Sequence, residues 1–120
     1  MPVRLLSSSV LKWPEPPTVL EALRNWLRTI LPHHPEIIQV GYFGSYARGN
    51  WGVGSDLDLL IIVESSGQPF ERRSADFDLT QLPVPVDLFV YTREEWQKLS
   101  RQGRWSQIAQ EIIWLYDPKG

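Results

Sequence analysis

The chain has 120 residues, no cysteine and a formal net charge of −2. This length suits one domain with a moderate core, and the absence of cysteine excludes disulfide and thiol chemistry. A pI near 5.6 argues against a broad electrostatic interface with nucleic acid. Because no apolar run approaches the roughly 18 residues of a membrane span and no signal-peptide core is present, we expect a cytoplasmic protein that contacts neither membrane nor nucleic acid directly.

The first predicted helix follows a proline-rich segment. Residues 1–17 are expected to form an N-terminal arm, because the prolines of Trp13–Pro17 disfavour a helix, and residues 18–120 are expected to form the domain. Thr18 and Glu21 have the spacing of a capping box, and apolar residues then recur at helical spacing as far as the next proline. This pattern predicts an amphipathic helix that packs on a sheet.

The next stretch has the features of a phosphate-binding turn. Apolar residues 37–43 predict a strand that ends in Gly44 and Ser45, and Tyr46–Arg48 predict a short helix directly after it. A strand that turns into a helix in this way presents free backbone N–H groups and a hydroxyl together, which is how polypeptides hold phosphate. The turn lies at the carboxyl end of its strand, where ligands bind in α/β sheets. Three glycines in the loop 49–55 would let the backbone approach a ligand closely, or the loop could equally be a mobile surface loop.

A pair of aspartates comes next in the chain. Asp56 and Asp58 begin a predicted buried strand that ends at Val63. Because strand side chains alternate, the two carboxylates share one face and lie roughly 6.5 Å apart along the chain. Two negative charges this close, beside an apolar sheet, are costly unless a cation neutralises them. Magnesium is the natural candidate, since proteins usually hold it with one or two carboxylates and substrate phosphates.

A third aspartate lies on a later predicted strand. Phe70–Leu79 predict a weak helix, and residues 86–91 predict an apolar strand that carries Asp87 near its start. If this strand lies beside the one with Asp56 and Asp58, a strand spacing of about 4.8 Å brings all three carboxylates within reach of one cation. The order of these elements therefore predicts a metal site.

The C-terminal part is predicted to contain one more helix and one more strand. Thr92 and Glu95 have the spacing of a second capping box, which predicts a helix that stops near Gly103. The apolar run Ile112–Tyr116 predicts the final strand.

Two residues near the turn allow more than one interpretation. Arg48 could contact a phosphate through its planar guanidinium or form a salt bridge, and the sequence favours neither role. Trp51 could stack on a nucleobase, but packing or contact with a partner is the more common role of a tryptophan. A single aspartate at the start of a strand is commonly just solvated, so the metal site is predicted from the three acids and the turn together.

In order and spacing, these motifs resemble the minimal nucleotidyltransferases, a branch of the DNA polymerase beta-like superfamily. Gly44-Ser45 is followed after ten residues by Asp56-Leu57-Asp58, and then by Asp87 in an apolar strand. The resemblance covers approximately residues 18–117. It implies an α/β (α+β) domain in which helices pack against a small mixed sheet.

The resemblance also implies a role for each residue of the motifs. Asp56 and Asp58 would hold two Mg²⁺ ions that bridge the triphosphate of ATP, and Asp87 would complete the shell of the ion nearest the attacking hydroxyl. Gly44, Ser45 and the adjacent N–H groups would grip the β- and γ-phosphates. Pyrophosphate would then leave in line from the α-phosphorus.

For activity, the resemblance implies transfer of AMP from ATP to a hydroxyl group. Family members of this size resemble antitoxins that inactivate a HEPN-domain ribonuclease toxin by adding AMP to one of its tyrosines, so we expect a protein adenylyltransferase antitoxin. A non-catalytic antitoxin that blocks its partner sterically is a second hypothesis, and a small-molecule nucleotidyltransferase, for instance one that modifies an aminoglycoside, is a third. The third would need an acceptor pocket that this short chain could build only as a homo-oligomer.

Overall fold

A computed structural model describes residues 14–118. These residues form a four-stranded mixed sheet with helices packed against both faces, which confirms the predicted fold class. None of the helices within this range is long and apolar enough to cross a membrane. Short 3-10 helices lie at Leu31–His33 and Ser74–Asp76. The main elements are α1 (Pro16–Ile30), β1 (Ile37–Phe43), α2 (Ser45–Arg48), β2 (Leu57–Val63), α3 (Phe70–Arg73), β3 (Val86–Thr92), α4 (Arg93–Leu99), α5 (Gly103–Glu111) and β4 (Ile113–Tyr116).

The strand order brings the ends of three strands to one end of the sheet. The order is β3-β2-β1-β4, with β1 antiparallel to β2 and β4, and β2 parallel to β3. The carboxyl end of β1 therefore lies beside the amino ends of β2 and β3. The expectation of a site at carboxyl strand ends holds for β1 alone, because β2 and β3 run in the opposite direction.

One face of the sheet packs against α1. Val19, Leu23 and Trp26 lie one turn apart along α1 and are fully buried in one cluster with the inward side chains of β1 and β2. The indole N–H of Trp26 donates to the carbonyl oxygen of Asp78 at 2.7 Å, so burial leaves this donor satisfied. Each side chain of this size contributes about 1.5 to 3 kcal/mol when fully buried, which makes this face the main core.

The other face packs against α4 and α5 and is rich in aromatic rings. Trp105 of α5 lies at its centre, edge-on to four neighbouring rings at 5.4 to 5.8 Å between centroids. Edge-to-face pairs of this kind stabilise the cluster beyond simple area burial. Trp105 therefore packs within this cluster, which is the role we expected for most of the tryptophans. The four rings belong to Phe43, Phe89, Tyr91 and Trp96.

The first helix begins three residues earlier than predicted, with Glu15 instead of Thr18 at its N-cap. Pro16 and Pro17 occupy its first two positions, and Glu15 precedes it without forming a side-chain cap. The predicted capping box of Thr18 and Glu21 is wrong, since Thr18 lies inside the helix. Proline suits the first turn because its φ is already helical and its missing N–H has no helical partner there. Most of the predicted N-terminal arm lies outside the described residues.

The segment after β2 is less helical than predicted. Only Phe70–Arg73 form an α-helix, and a 3-10 turn follows instead of a helix as far as Leu79. The apolar residues of this segment do not recur regularly at three and four positions, so a longer helix would have no continuous face to bury. Phe77 alone among them enters the core.

The capping box at the start of α4 is confirmed, but the end of this helix is not where it was predicted. The Thr92 hydroxyl accepts from the Glu95 N–H at 3.2 Å, and the Glu95 carboxylate accepts from the Thr92 N–H at 2.9 Å. The helix ends at Leu99. Gly103, expected to stop it, instead begins the unpredicted helix α5 with a φ of 60°.

Candidate active site

Asp58 and Asp87 stand side by side at the start of two paired strands. Register in the parallel pair of β2 and β3 sets Asp58 directly opposite Asp87, one residue after Leu57 and Val86. Leu57 points into the main core, so alternation turns both carboxylates toward the aromatic face. Neighbouring strands lie about 4.8 Å apart, which confirms the predicted adjacency of these two acids.

The half-buried carboxylate of Asp58 has a raised pKa. Burial, followed by the nearby charges of Asp87 and Asp56, raises its pKa to about 6, against a smaller lowering by Arg48 and Arg104. An isolated aspartate titrates near 3.8. Asp87 and Asp56 therefore both disfavour the charged form of Asp58, as expected for groups that need a cation between them.

Asp56 lies just outside the strand. The strand begins at Leu57, not at Asp56 as predicted, and the side chain of Asp56 is exposed. Within residues 14–118, no three histidine, cysteine or acidic side chains form a ready metal cage. The structure thus brings Asp58 and Asp87 together and leaves Asp56 close enough to repel Asp58 but outside the pair.

Gly44 fits against Asp58 because it has no side chain. Its φ of 77° and ψ of −149° lie in a region that only glycine adopts readily. A Cβ atom added there would stand 2.2 Å from Oδ2 of Asp58. This close approach follows from the sheet, because Phe43, the last residue of β1, pairs with Asp58. Gly44 is therefore required both by its backbone conformation and by the carboxylate beside it.

The strand, turn and short helix predicted around Ser45 are present. The first helical hydrogen bond of α2 runs from the Arg48 N–H to the Gly44 carbonyl at 2.9 Å, and Gly49 ends the helix with a φ of 80°. Ser45 and Ala47 lie in this first turn, where backbone N–H groups have no helical acceptor. Ser45 itself is half-buried and stands next to the glycine that contacts Asp58.

Arg48 forms an ion pair across the site. Its guanidinium lies 3.2 and 3.3 Å from the two carboxylate oxygens of Glu111 on α5. Of the two roles that the sequence left open, the structure shows the salt bridge. Both residues lie on the wall of an open pocket of about 260 Å³, whose other lining residues are Phe43, Gly44, Asp58, Arg104, Gln107 and Ile108.

This arrangement can be compared with known proteins. The family model described as nucleotidyltransferase domain matches residues 23–115. The chain belongs to this family. A comparison with curated proteins gave no match.

Two solved structures share the fold of this nucleotidyltransferase domain. A candidate nucleotidyltransferase from Sulfolobus solfataricus has a TM-score of 0.64 and 19% identity, over 88% of this chain and 86% of that chain. A toxin–antitoxin solved with AMP-PNP has a TM-score of 0.56 and 20% identity, over 80% of this chain and 74% of that chain. At these identities the two structures show similarity of fold.

The wall of the pocket formed by α5 was missed by the sequence reasoning. Arg104, Gln107, Ile108 and Glu111 recur at intervals of three, four and seven residues, so they share one face of the helix. Of these, Ile108 is buried and anchors the helix to the sheet, while the polar residues line the pocket. The same spacing is visible in the sequence and could have predicted both the helix and its polar face.

The glycine-rich loop of the nucleotidyltransferase domain closes on itself instead of reaching into the pocket. The N–H of Gly52 donates to the Ser55 hydroxyl at 2.7 Å, and the N–H of Ser55 donates to the Gly52 carbonyl at 2.9 Å. Trp51 stacks on Tyr46 with ring centroids 6.3 Å apart and packs against the main core. Trp51 therefore has a packing role, which is among the roles that the sequence favoured over stacking on a nucleobase.

The donor set suits a hard divalent cation. Asp58 lines the pocket, Asp87 stands opposite it in the register of β2 and β3, and Asp56 lies two residues before it in the chain. Oxygen ligands of this kind match Mg²⁺, which completes its shell with water and substrate phosphate oxygens. Burial, followed by the charges of Asp87 and Asp56, raises the pKa of Asp58, and a bound cation would oppose this shift. These residues fit the metal that nucleotidyltransferase chemistry requires.

Proposed function

We propose that this nucleotidyltransferase moves AMP from ATP to a tyrosine hydroxyl of a HEPN-domain toxin and thereby acts as its antitoxin. The observation that carries the proposal is the pairing of Asp58 with Asp87 beside the backbone of Gly44. This arrangement places Asp58 next to the turn that begins α2, in a pocket with two arginines, and sets Asp87 opposite Asp58 on the neighbouring strand.

The residues divide the chemistry of transfer between them. Asp56, Asp58 and Asp87 would hold two Mg²⁺ ions, which when bound lower the pKa of the acceptor hydroxyl and offset the charge of the triphosphate. Asp87 accepts the proton of the hydroxyl, whose oxygen forms a bond to the α-phosphorus of ATP. The bond from that phosphorus to the bridging oxygen breaks, and pyrophosphate leaves.

Binding of the phosphates is assigned to the turn. Ser45 and the N–H groups of the first turn of α2 hold the β- and γ-phosphates, with Gly44 allowing the backbone to approach. Arg48, on the wall of the same pocket, provides a planar cation for the phosphates when it is released from Glu111.

The assignment of a protein acceptor has two supports. Asp87 is exposed, and within residues 14–118 no second lobe covers it, so an acceptor on another chain can reach it. One protein of the same fold is a toxin–antitoxin solved with AMP-PNP. A tyrosine of a toxin would supply the acceptor hydroxyl from outside the described fold.

The direct test is transfer of label. The protein is incubated with Mg²⁺, a candidate HEPN-domain toxin and ATP labelled at the α-phosphate, with γ-labelled ATP as the control. We expect α-label, but no γ-label, on a tyrosine of the HEPN protein. If the nucleotide binds and the HEPN protein stays unlabelled, the proposal is contradicted.

A variant separates catalysis from steric blocking. Asp58→Asn keeps the shape of the side chain but removes one metal-binding charge, so transfer should be lost. The toxin, assayed by its ribonuclease activity, should then remain active in the presence of the variant. Full neutralisation by Asp58→Asn, without label, would favour a non-catalytic antitoxin instead.

A further inference from the structure

The helix α5 brings a second arginine to the pocket. Arg104 lines the same pocket as Gly44, Arg48 and Asp58, and its charge acts on Asp58. It lies in the first turn of α5, on the face that Ile108 anchors against the aromatic side of the sheet. The side chain therefore projects from a fixed helix beside the proposed catalytic residues.

The two arginines of the pocket differ in whether they form an ion pair within the protein. Arg48 is held by the carboxylate of Glu111 at 3.2 Å. Arg104, in contrast, forms no ion pair with any residue in the described part of the chain. A half-exposed salt bridge such as that of Arg48 must be broken before its guanidinium can serve a ligand fully, whereas Arg104 is free to bind at once.

The charged side chains that line the pocket balance one another until a divalent cation binds. The lining contains two carboxylates, Asp58 and Glu111, and two guanidinium groups, Arg48 and Arg104. Divalent cations bound to the aspartates would leave this region with a net positive charge. A triphosphate carries several negative charges on closely spaced oxygens, which the forked geometry of arginine matches.

We propose that Arg104 is a second triphosphate-binding residue, supplied by α5 to the pocket that Gly44 also lines. This assignment rests on the proposed nucleotidyl transfer and adds a contact that the motifs of β1, β2 and β3 do not contain. It makes α5 part of the nucleotide site as well as a packing element. The nucleotide would then be held between the turn and the helix.

The test compares binding of two ligands to two matched variants. Arg104→Gln removes the proposed contact, and Arg101→Gln removes an exposed arginine of the preceding turn that does not line the pocket. Both change the net charge equally. Affinities are measured by calorimetry, in the presence of Mg²⁺, for an ATP analogue that cannot be cleaved between the α- and β-phosphates and for inorganic tripolyphosphate. Thermal unfolding of each variant checks that the fold is intact.

We expect Arg104→Gln to weaken both ligands by about 10- to 100-fold, the range for a charge-assisted hydrogen bond. Arg101→Gln should change either affinity by less than about twofold, as for an exposed charge outside the site. Arg104→Lys, which keeps the charge but not the fork, should recover part of the loss.

Other results would overturn the assignment. Equal affinities in the Arg104→Gln and Arg101→Gln variants would show that Arg104 does not bind the ligand. If Arg104→Gln weakened binding of the ATP analogue but not of tripolyphosphate, Arg104 would contact a part of the nucleotide other than its phosphates. A wild-type protein that binds neither ligand would contradict the proposed function itself, which separates the two failures.

Discussion

Gly44 and Asp58 depend on each other, because a carboxylate occupies the space where any other residue would carry its Cβ atom. The sheet imposes this contact through the pairing of Phe43 with Asp58. Glycine at this position lets the backbone N–H groups of α2 and the carboxylates of β2 and β3 share one small volume. Alanine substitutions of glycines with positive φ can therefore separate the energetic cost of the backbone conformation from the cost of a clash with Asp58.

Gly44→Ala should lower the free energy of unfolding by about 2 kcal/mol or more, since its φ and ψ are strained for any other residue. It should also displace Asp58 and abolish nucleotide transfer. Gly54→Ala is the matched control, because Gly54 has a φ of 88° with no atom within 4 Å of the added Cβ. Urea unfolding should show a smaller loss in the control, of about 1 kcal/mol. Equal losses would mean that the contact with Asp58 is unimportant.

The raised pKa of Asp58 predicts how stability depends on pH. Because the pKa rises from 3.8 to about 6, the folded protein holds this proton more tightly than the unfolded chain does. Asp58 therefore destabilises the metal-free fold as pH rises from about 4 to about 6, and the full cost is present above that range.

Asp58→Asn removes this cost. Measured without Mg²⁺ at pH 7.5, the variant should be more stable than the wild type, on the order of 1 kcal/mol after allowance for solvent screening. The difference should shrink as the pH approaches 4. The exposed Glu71→Gln variant serves as the control. A stability difference that is independent of pH would contradict the electrostatic account of the site.

At the scale of elements, the register of β2 and β3 builds the site, and the cap of α4 fixes the end of β3. Glu95 completes the capping box with Thr92 and pairs through two hydrogen bonds, of 2.6 and 3.1 Å, with the buried Arg73. Arg73 also donates to the Val90 carbonyl at 3.1 Å. One carboxylate thus ties α3, β3 and α4 together, and these hydrogen bonds lower the pKa of Glu95.

Glu95→Ala should destabilise the fold by about 2 to 4 kcal/mol, because it removes the cap and leaves Arg73 buried without its partner. Glu64→Ala, which breaks the exposed pair with Arg93 at 2.7 Å, should cost less than about 1 kcal/mol. Chemical denaturation measures both. Similar losses in the two variants would show that burial of Arg73 does not matter.

The elements that could be predicted from the sequence are those with local signals. The β-branched runs of β1, β2 and β3 and the capping box of Thr92 and Glu95 predicted four elements, whereas the pairing of β2 with β3, which makes Asp58 and Asp87 neighbours, entered only as a condition. The tertiary role of Arg73 could not be predicted, because a charged residue in a short helix has no local sign of burial. The pocket wall of α5 was missed because Gly103 was interpreted as a stop, although it begins the helix.

On the scale of the whole molecule, the main core and the candidate site lie on opposite faces of the sheet. The face covered by α1 holds the main core, whereas the candidate site lies at the end of the aromatic face, where α2, α5 and the starts of β2 and β3 meet. The repulsion among the aspartates is confined to this end. Ligands that neutralise it should therefore stabilise the entire domain.

Mg²⁺ together with an uncleavable ATP analogue should raise the melting temperature. At a ligand concentration one hundred times Kd, the expected stabilisation is about 2.7 kcal/mol. Removal of Mg²⁺ with a chelator should abolish most of this effect, because the triphosphate would then face the uncompensated aspartates. Equal stabilisation with and without Mg²⁺ would contradict a metal-bridged nucleotide.

The central claim, that the paired carboxylates of β2 and β3 carry out nucleotidyl transfer, is tested most directly with Asp87→Asn. Transfer of AMP to the HEPN protein and affinity for the Mg²⁺–ATP analogue are measured side by side, with Asp76→Asn as an exposed acidic control outside the pocket. We predict that transfer falls at least about 100-fold in Asp87→Asn, the lower range for loss of a catalytic base, while the nucleotide still binds. An Asp87→Asn variant that labels the HEPN protein as fast as the wild type would contradict the claim.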